Sequence, residues 1–223
     1  MSPARSDRLA VALESTPKKT FASALDWPGW SRSGKTPELA IEALLAYAPR
    51  FAPIATAAGI SYPSAFHADV VERADGGSGT DFGVPSHLMH QADARAVDRA
   101  EAARLASIVQ AAWIYFDGVA AKAPAELRKG PRGGGRNRDK IVGHVNESDW
   151  YYAREIGLRG KQPDPHDPVA VRAQREAMLD VLRRPSDGSP LADRRWPLRY
   201  AARRIAWHAL DHAWEIEDRS EKE

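Results

Sequence analysis

A chain of 223 residues, 43% hydrophobic and 28% charged, is long enough to bury a sizeable core as one large domain or two small ones. A formal net charge of +2 excludes a polycation, and no apolar run approaches the ~20 residues that span a bilayer. Cysteine is absent, which excludes disulfides, thiolate metal ligands and a cysteine nucleophile together.

The elements divide the chain near Asp93, into residues 1–93 and 94–223 of an α+β protein. In the first part, Leu9–Glu14 and Thr20–Leu25 are strands around the turn residues Ser15-Thr16-Pro17-Lys18. The apolar stretch Leu9–Leu13 is too brief to serve as a signal peptide. Pro28-Gly29 and Ser33-Gly34 then punctuate the chain. Thr36 and Pro37 open a helix with Leu39, Ala43, Leu44 and Tyr47 at helical spacing, which stops before Pro49. A third strand at Ala65–Arg73 completes a small ββαβ-type portion. The connection Asp81–Gln91 carries Phe82, Val84, Leu88 and Met89 as candidates for burial.

In the second part, an alanine-rich helix runs over Ala94–Ala121, and Lys129–Arg136 is a Gly-rich basic loop. Further helices cover Asp139–Ile156, Val169–Leu182 and Leu198–Asp218, separated by prolines. Four helices of this length predict a bundle. The basic clusters, Lys129–Lys140 and Arg183–Arg204, read as solvated faces; no aromatics interleave with the Gly-rich run, as single-stranded nucleic acid would require.

His208 and His212 stand four residues apart, about 40° around one helix face and one turn above each other, where one ion can take both imidazoles. Ala201, Ile205 and Ile216 share that face, so the pair points inward. On the earlier helix, Ile141, His144, Val145, Ser148 and Tyr152 form the apolar stripe, bringing His144 into the same interior. Three inward histidines make an open, all-nitrogen set for a divalent metal, zinc or nickel foremost. Asp211, Glu147 and Glu215 are candidates to orient the imidazoles. No catalytic residue is identified. A metalloprotease is excluded because Ala209, not Glu, follows the first histidine. His87 and His90 read as loop histidines, and neither His67 nor His166 is given a role.

The segments Lys140-Ile141-Val142-Gly143-His144-Val145-Asn146-Glu147 and Arg203-Arg204-Ile205-Ala206-Trp207-His208-Ala209-Leu210-Asp211-His212 resemble the metal-ligand helices of the DinB superfamily, which includes mycothiol-dependent maleylpyruvate isomerase. The resemblance covers roughly residues 94–217. It implies an up-down-down-up four-helix bundle with a divalent metal on His144, His208 and His212, and, for some members, transfer or isomerisation reactions that use mycothiol, bacillithiol or glutathione. The thiol would come from a cofactor, since the chain has none of its own. The segment Phe21–Trp30 with Gly34-Lys35-Thr36-Pro37 is similar to HicB-like antitoxin modules, although no DNA-binding domain follows it. The chain as a whole resembles a group of actinobacterial proteins.

The expectation is therefore a cytoplasmic, metal-binding transferase or isomerase acting on a small-molecule substrate, without nucleic-acid or membrane partners. The alternatives are a metal-stabilised binding protein and a metal-water hydrolase. The oligomeric state is open, with a homodimer allowed.

Overall fold

The computed structural model describes residues 8–130 and 135–220. The residues before Arg8, and Pro131–Gly134 of the basic loop, lie outside the described residues.

The first part is a four-stranded sheet with helices on the connection between its parallel strands. Strands β1 (Arg8–Ser15) and β2 (Thr20–Ala24) form an antiparallel hairpin, and Thr16 closes its turn by accepting hydrogen bonds from the N–H groups of Lys18 and Lys19 at 3.1 Å each. Strand β3 (Ser31–Gly34) pairs antiparallel with β2, and β4 (His67–Asp75) pairs parallel with β1, giving the order β3-β2-β1-β4. A parallel pair needs a crossover, and two helices make it. The first, α1 (Pro37–Ala46), is capped by Thr36 Oγ1 on the Leu39 N–H at 3.3 Å. It ends at Ala46, before Pro49 as expected, and a second helix that the sequence reading did not include, α2 (Ala48–Ala57), starts at once and runs through Pro49. Proline is tolerated in a first turn, where its missing N–H has no partner to lose. The ββαβ expectation thus lacked β3, which runs into the Ser33-Gly34 pair that punctuates the sequence and is held by pairing with β2.

The connection after β4 is fastened by carboxylates. Helix α3 (Ser78–Phe82) places the Thr80 hydroxyl on buried Glu14, which also accepts the N–H groups of Ser86 and His87 at 3.3 and 3.0 Å. Glu72 accepts the N–H groups of Gln91 and Ala92 at 3.0 and 2.8 Å. Of the candidates for burial, Met89 is buried, whereas Phe82 is 87% exposed because it sits at the outer end of α3.

Four long helices follow: α4 (Arg99–Lys122), α5 (Arg138–Glu155), α6 (Pro168–Leu182) and α7 (Leu198–Ser220). The first starts later than its alanine content suggests. Val97 is held in a bridge with Ser186, and Asp98 caps the helix through the Glu101 N–H at 2.8 Å. Helices α4 and α5 each pack on both α6 and α7, closing a ring of four. Within that ring Arg175 binds Asp149 at 2.9 Å, both oxygens of Asp117 at 2.9 and 3.1 Å, and Asn146 Oδ1 at 2.9 Å.

Helix α7 lies between the sheet and the other helices. At the β2–β3 turn Gly29 adopts φ +95°, and a Cβ there would stand 2.7 Å from Leu210 Cδ1 and 3.0 Å from the Ala206 carbonyl carbon, so the turn rests directly on α7. Phe21 meets Trp207 edge to face at 6.4 Å, and Tyr47 meets Trp214 at 5.1 Å. One hydrophobic cluster runs from Leu9, Val11, Trp30 and Phe51 through Ile108, Ile141 and Met178 to Ile205 and Trp214. The Arg183–Arg204 cluster is not a solvated face throughout: Arg199 and Arg203 are buried against Glu101 (2.9 Å) and Asp93 (2.6 Å). Among the described residues no helix is long and apolar enough to cross a membrane.

Candidate metal centre

Helix α7 is buried on nearly every side, so its polar side chains must be satisfied locally or by a ligand. His208 and His212, one turn apart on it, converge with His144 of α5. The ring centroids lie 4.7 to 5.1 Å from one another, and one ligand nitrogen from each falls within 4.8 Å of the others. His208 Nε2 stands 3.2 Å from His144 Nε2. Two imidazole nitrogens on one ion at ~2.0–2.1 Å are about 2.9–3.4 Å apart for octahedral to tetrahedral angles, so the two rings already hold that spacing.

Electrostatics prepares the same chemistry. Burial, aided by His212 and Arg136, lowers His144 to about 4. Burial drives His208 well below its ordinary range, with His212 and Arg204 adding to the effect. Both rings are therefore neutral near pH 7, the form that binds a metal. His212 is oriented from outside the cluster: its Nδ1–H donates to Glu215 Oε2 at 2.9 Å, which leaves Nε2 as the nitrogen free to bind. Glu215 in turn accepts from Arg219 at 2.7 Å. Burial pushes the Glu215 carboxyl up, but His212 and Arg219 outweigh it and hold it below the ordinary carboxylate range. His208 Nδ1 is buried beside the Tyr152 and Trp207 rings with no hydrogen-bond partner among the described residues. The residues present fit a divalent ion: three imidazoles at ligand spacing, one of them braced by a carboxylate.

An open cleft of about 460 Å³ reaches His144 from the side of α5, between Arg136, Lys140, Glu147 and His166. Of the three candidates to orient an imidazole, Glu215 does so. Asp211 instead pairs with Arg32 of β3 at 3.0 Å, and Glu147 stands on the cleft wall. His87 and His90 lie 6.0 Å apart between ring centroids, and no third ligand joins them among the described residues. His166 was not legible as part of the site. It lies 22 positions beyond His144 in a Pro-rich loop, and only the return of the chain from α5 to α6 brings it to the cleft.

No family model, curated protein or solved structure matches the chain.

Proposed function

We propose that this protein is a metal-dependent enzyme of the DinB type that transfers or isomerises a small molecule with the help of a low-molecular-weight thiol. The observation that carries the reading is the convergence of three imidazoles, from two helices, beside an open cleft that reaches His144. Such a donor set leaves coordination positions free, as a catalytic site does and a closed structural site does not. Zinc or nickel suits an all-nitrogen set. When bound, the ion supplies Lewis acidity and keeps a thiol in its thiolate form at neutral pH. His144, His208 and His212 would hold it, Glu215 would fix the ring of His212, and the cleft would admit substrate past Arg136 and Lys140. The chain has no cysteine, so the thiol must arrive as a cofactor. The Pro28-Gly29 turn and the Thr36 cap on α1 are the features that support the HicB-like reading of the sheet portion.

A hydrolytic reading keeps the same ligands and replaces the thiol by water. It is favoured by Glu147, which lies on the cleft wall with no ion-pair partner among the described residues and suits a general base.

Elemental analysis of the purified protein tests the site: close to one divalent ion per chain is expected, with most of it lost in His144→Ala, His208→Ala and His212→Ala. Full metal content in all three variants would sink it. Titration of mycothiol, bacillithiol and glutathione into the cobalt-substituted protein separates the two chemistries. A sulfur-to-metal charge-transfer band supports the thiol reading, and its absence for all three, with the metal open to solvent exchange, favours hydrolysis.

A further inference from the structure

We propose that His166 is a ligand-facing residue of the cleft, placed to donate a hydrogen bond to a small anion bound at the metal; this rests on the metal reading above. Gly143 stands in α5 one residue before His144. The imidazole of His166 packs against it: a Cβ at position 143 would stand 3.5 Å from His166 Cε1 and 3.7 Å from Nε2. Any side chain larger than alanine would push that ring away from the helix turn that carries His144.

The backbone around His166 is held on both sides. Its own N–H donates to Asp164 Oδ1 at 2.9 Å, and the Pro165 carbonyl accepts from Asn146 Nδ2 at 2.7 Å. Asn146 is itself fixed by Arg175, and Asp167 caps α6 through the N–H groups of Val169 and Ala170 at 2.9 and 3.2 Å. The loop is thus anchored to the buried Arg175 network, yet the imidazole it presents makes no hydrogen bond among the described residues.

The charges of the cleft favour an anion. Asp139 is taken up by Arg138 at 2.8 Å, while Arg136 and Lys140 have no ion-pair partner among the described residues. Among the described residues Glu147 is the one opposing charge on that wall without an ion-pair partner. An anion on the metal would meet two cations and the exposed imidazole of His166 on its outer side.

Azide binding to the cobalt-substituted whole protein, followed in the visible spectrum, tests this. His166→Ala should retain full cobalt and an unchanged spectrum without azide, yet bind azide roughly tenfold or more weakly, the loss expected for a hydrogen bond to a charged group. His166→Gln, which restores a donor, should recover most of the affinity. Equal loss in both variants, wild-type affinity in His166→Ala, or no azide binding to the loaded wild type would overturn the assignment while leaving the metal site standing. Failure of the wild type to take up cobalt would overturn the metal reading and this inference with it.

Discussion

Glu215 stands between a cation and an imidazole, and it shows how single residues tune the candidate centre. Arg219 holds the carboxylate, the carboxylate holds Nδ1–H of His212, and the ring is left with one nitrogen and one orientation. Glu215→Ala is expected to weaken metal binding roughly 10- to 100-fold without abolishing it, measured by competition with a chelator. Retention of wild-type affinity would show that the ring is held by packing alone. The depressed histidines also set the acid response of metal-free protein. Unfolded, both rings titrate near 6.5; folded, His144 titrates at about 4 and His208 well below its ordinary range. As pH falls through 6.5 the unfolded chain takes up protons first, so this contribution is complete above 6.5 and is lost progressively between about 6.5 and 4. Urea midpoints of stripped protein at pH 7.5 and 5 should therefore drop more for the wild type than for a His144→Gln, His208→Gln double variant. Equal drops would place the acid sensitivity elsewhere.

At the scale of elements, α7 is the part on which the others converge. It carries two of the three histidines on one side and receives the β2–β3 turn on another, with Gly29 lying on Ala206 and Leu210. Those two residues flank His208, so the fit of the turn bears on where the imidazole sits. Gly29→Ala combines a left-handed backbone, strained for any side chain, with a Cβ too close to Leu210. A loss of about 2 kcal/mol or more is expected in chemical denaturation, and a loss below 0.5 kcal/mol would show that the turn lifts freely. The connection from sheet to helices is bound to the same helix through Asp93, which accepts Arg203 at 2.6 and 3.2 Å and the Met89 N–H at 2.8 Å. Truncating either member of such a buried pair leaves an uncompensated charge, which typically costs about 3–5 kcal/mol.

Across the whole molecule, one hydrophobic cluster joins sheet and helices, although the architecture changes near Asp93. Trp207, Leu210 and Trp214 of α7 are buried, and β2, the β2–β3 turn and the α1–α2 junction cover them from the sheet side. A fragment comprising residues 94–223 would expose that face of α7 to water. Circular dichroism of the fragment is expected to show helix without a cooperative thermal transition. A sharp, native-like transition would show that the helices stand alone.

What the sequence determined by itself was local. The 3.6-residue spacing of Ile141, His144, Val145 and Tyr152, and of Ala201, Ile205, His208 and His212, is enough to place three histidines on inward faces, because helical periodicity depends only on near neighbours. The hairpin of β1 and β2 and the Thr36-Pro37 start of α1 were legible for the same reason. Tertiary structure decided what depends on residues far apart. Ser31–Gly34 becomes a strand because β2 offers it a ladder, and Ala94–Val97 leaves the helix because Ser186 pairs with Val97. Arg199 and Arg203 become interior residues because Glu101 and Asp93 wait there. The choice among three carboxylates fell to Glu215, since Arg32 from the sheet claims Asp211 and the chain turns Glu147 to the cleft. His166 joined that cleft for the same reason: its position depends on the return of the chain from α5 to α6, which no local pattern encodes.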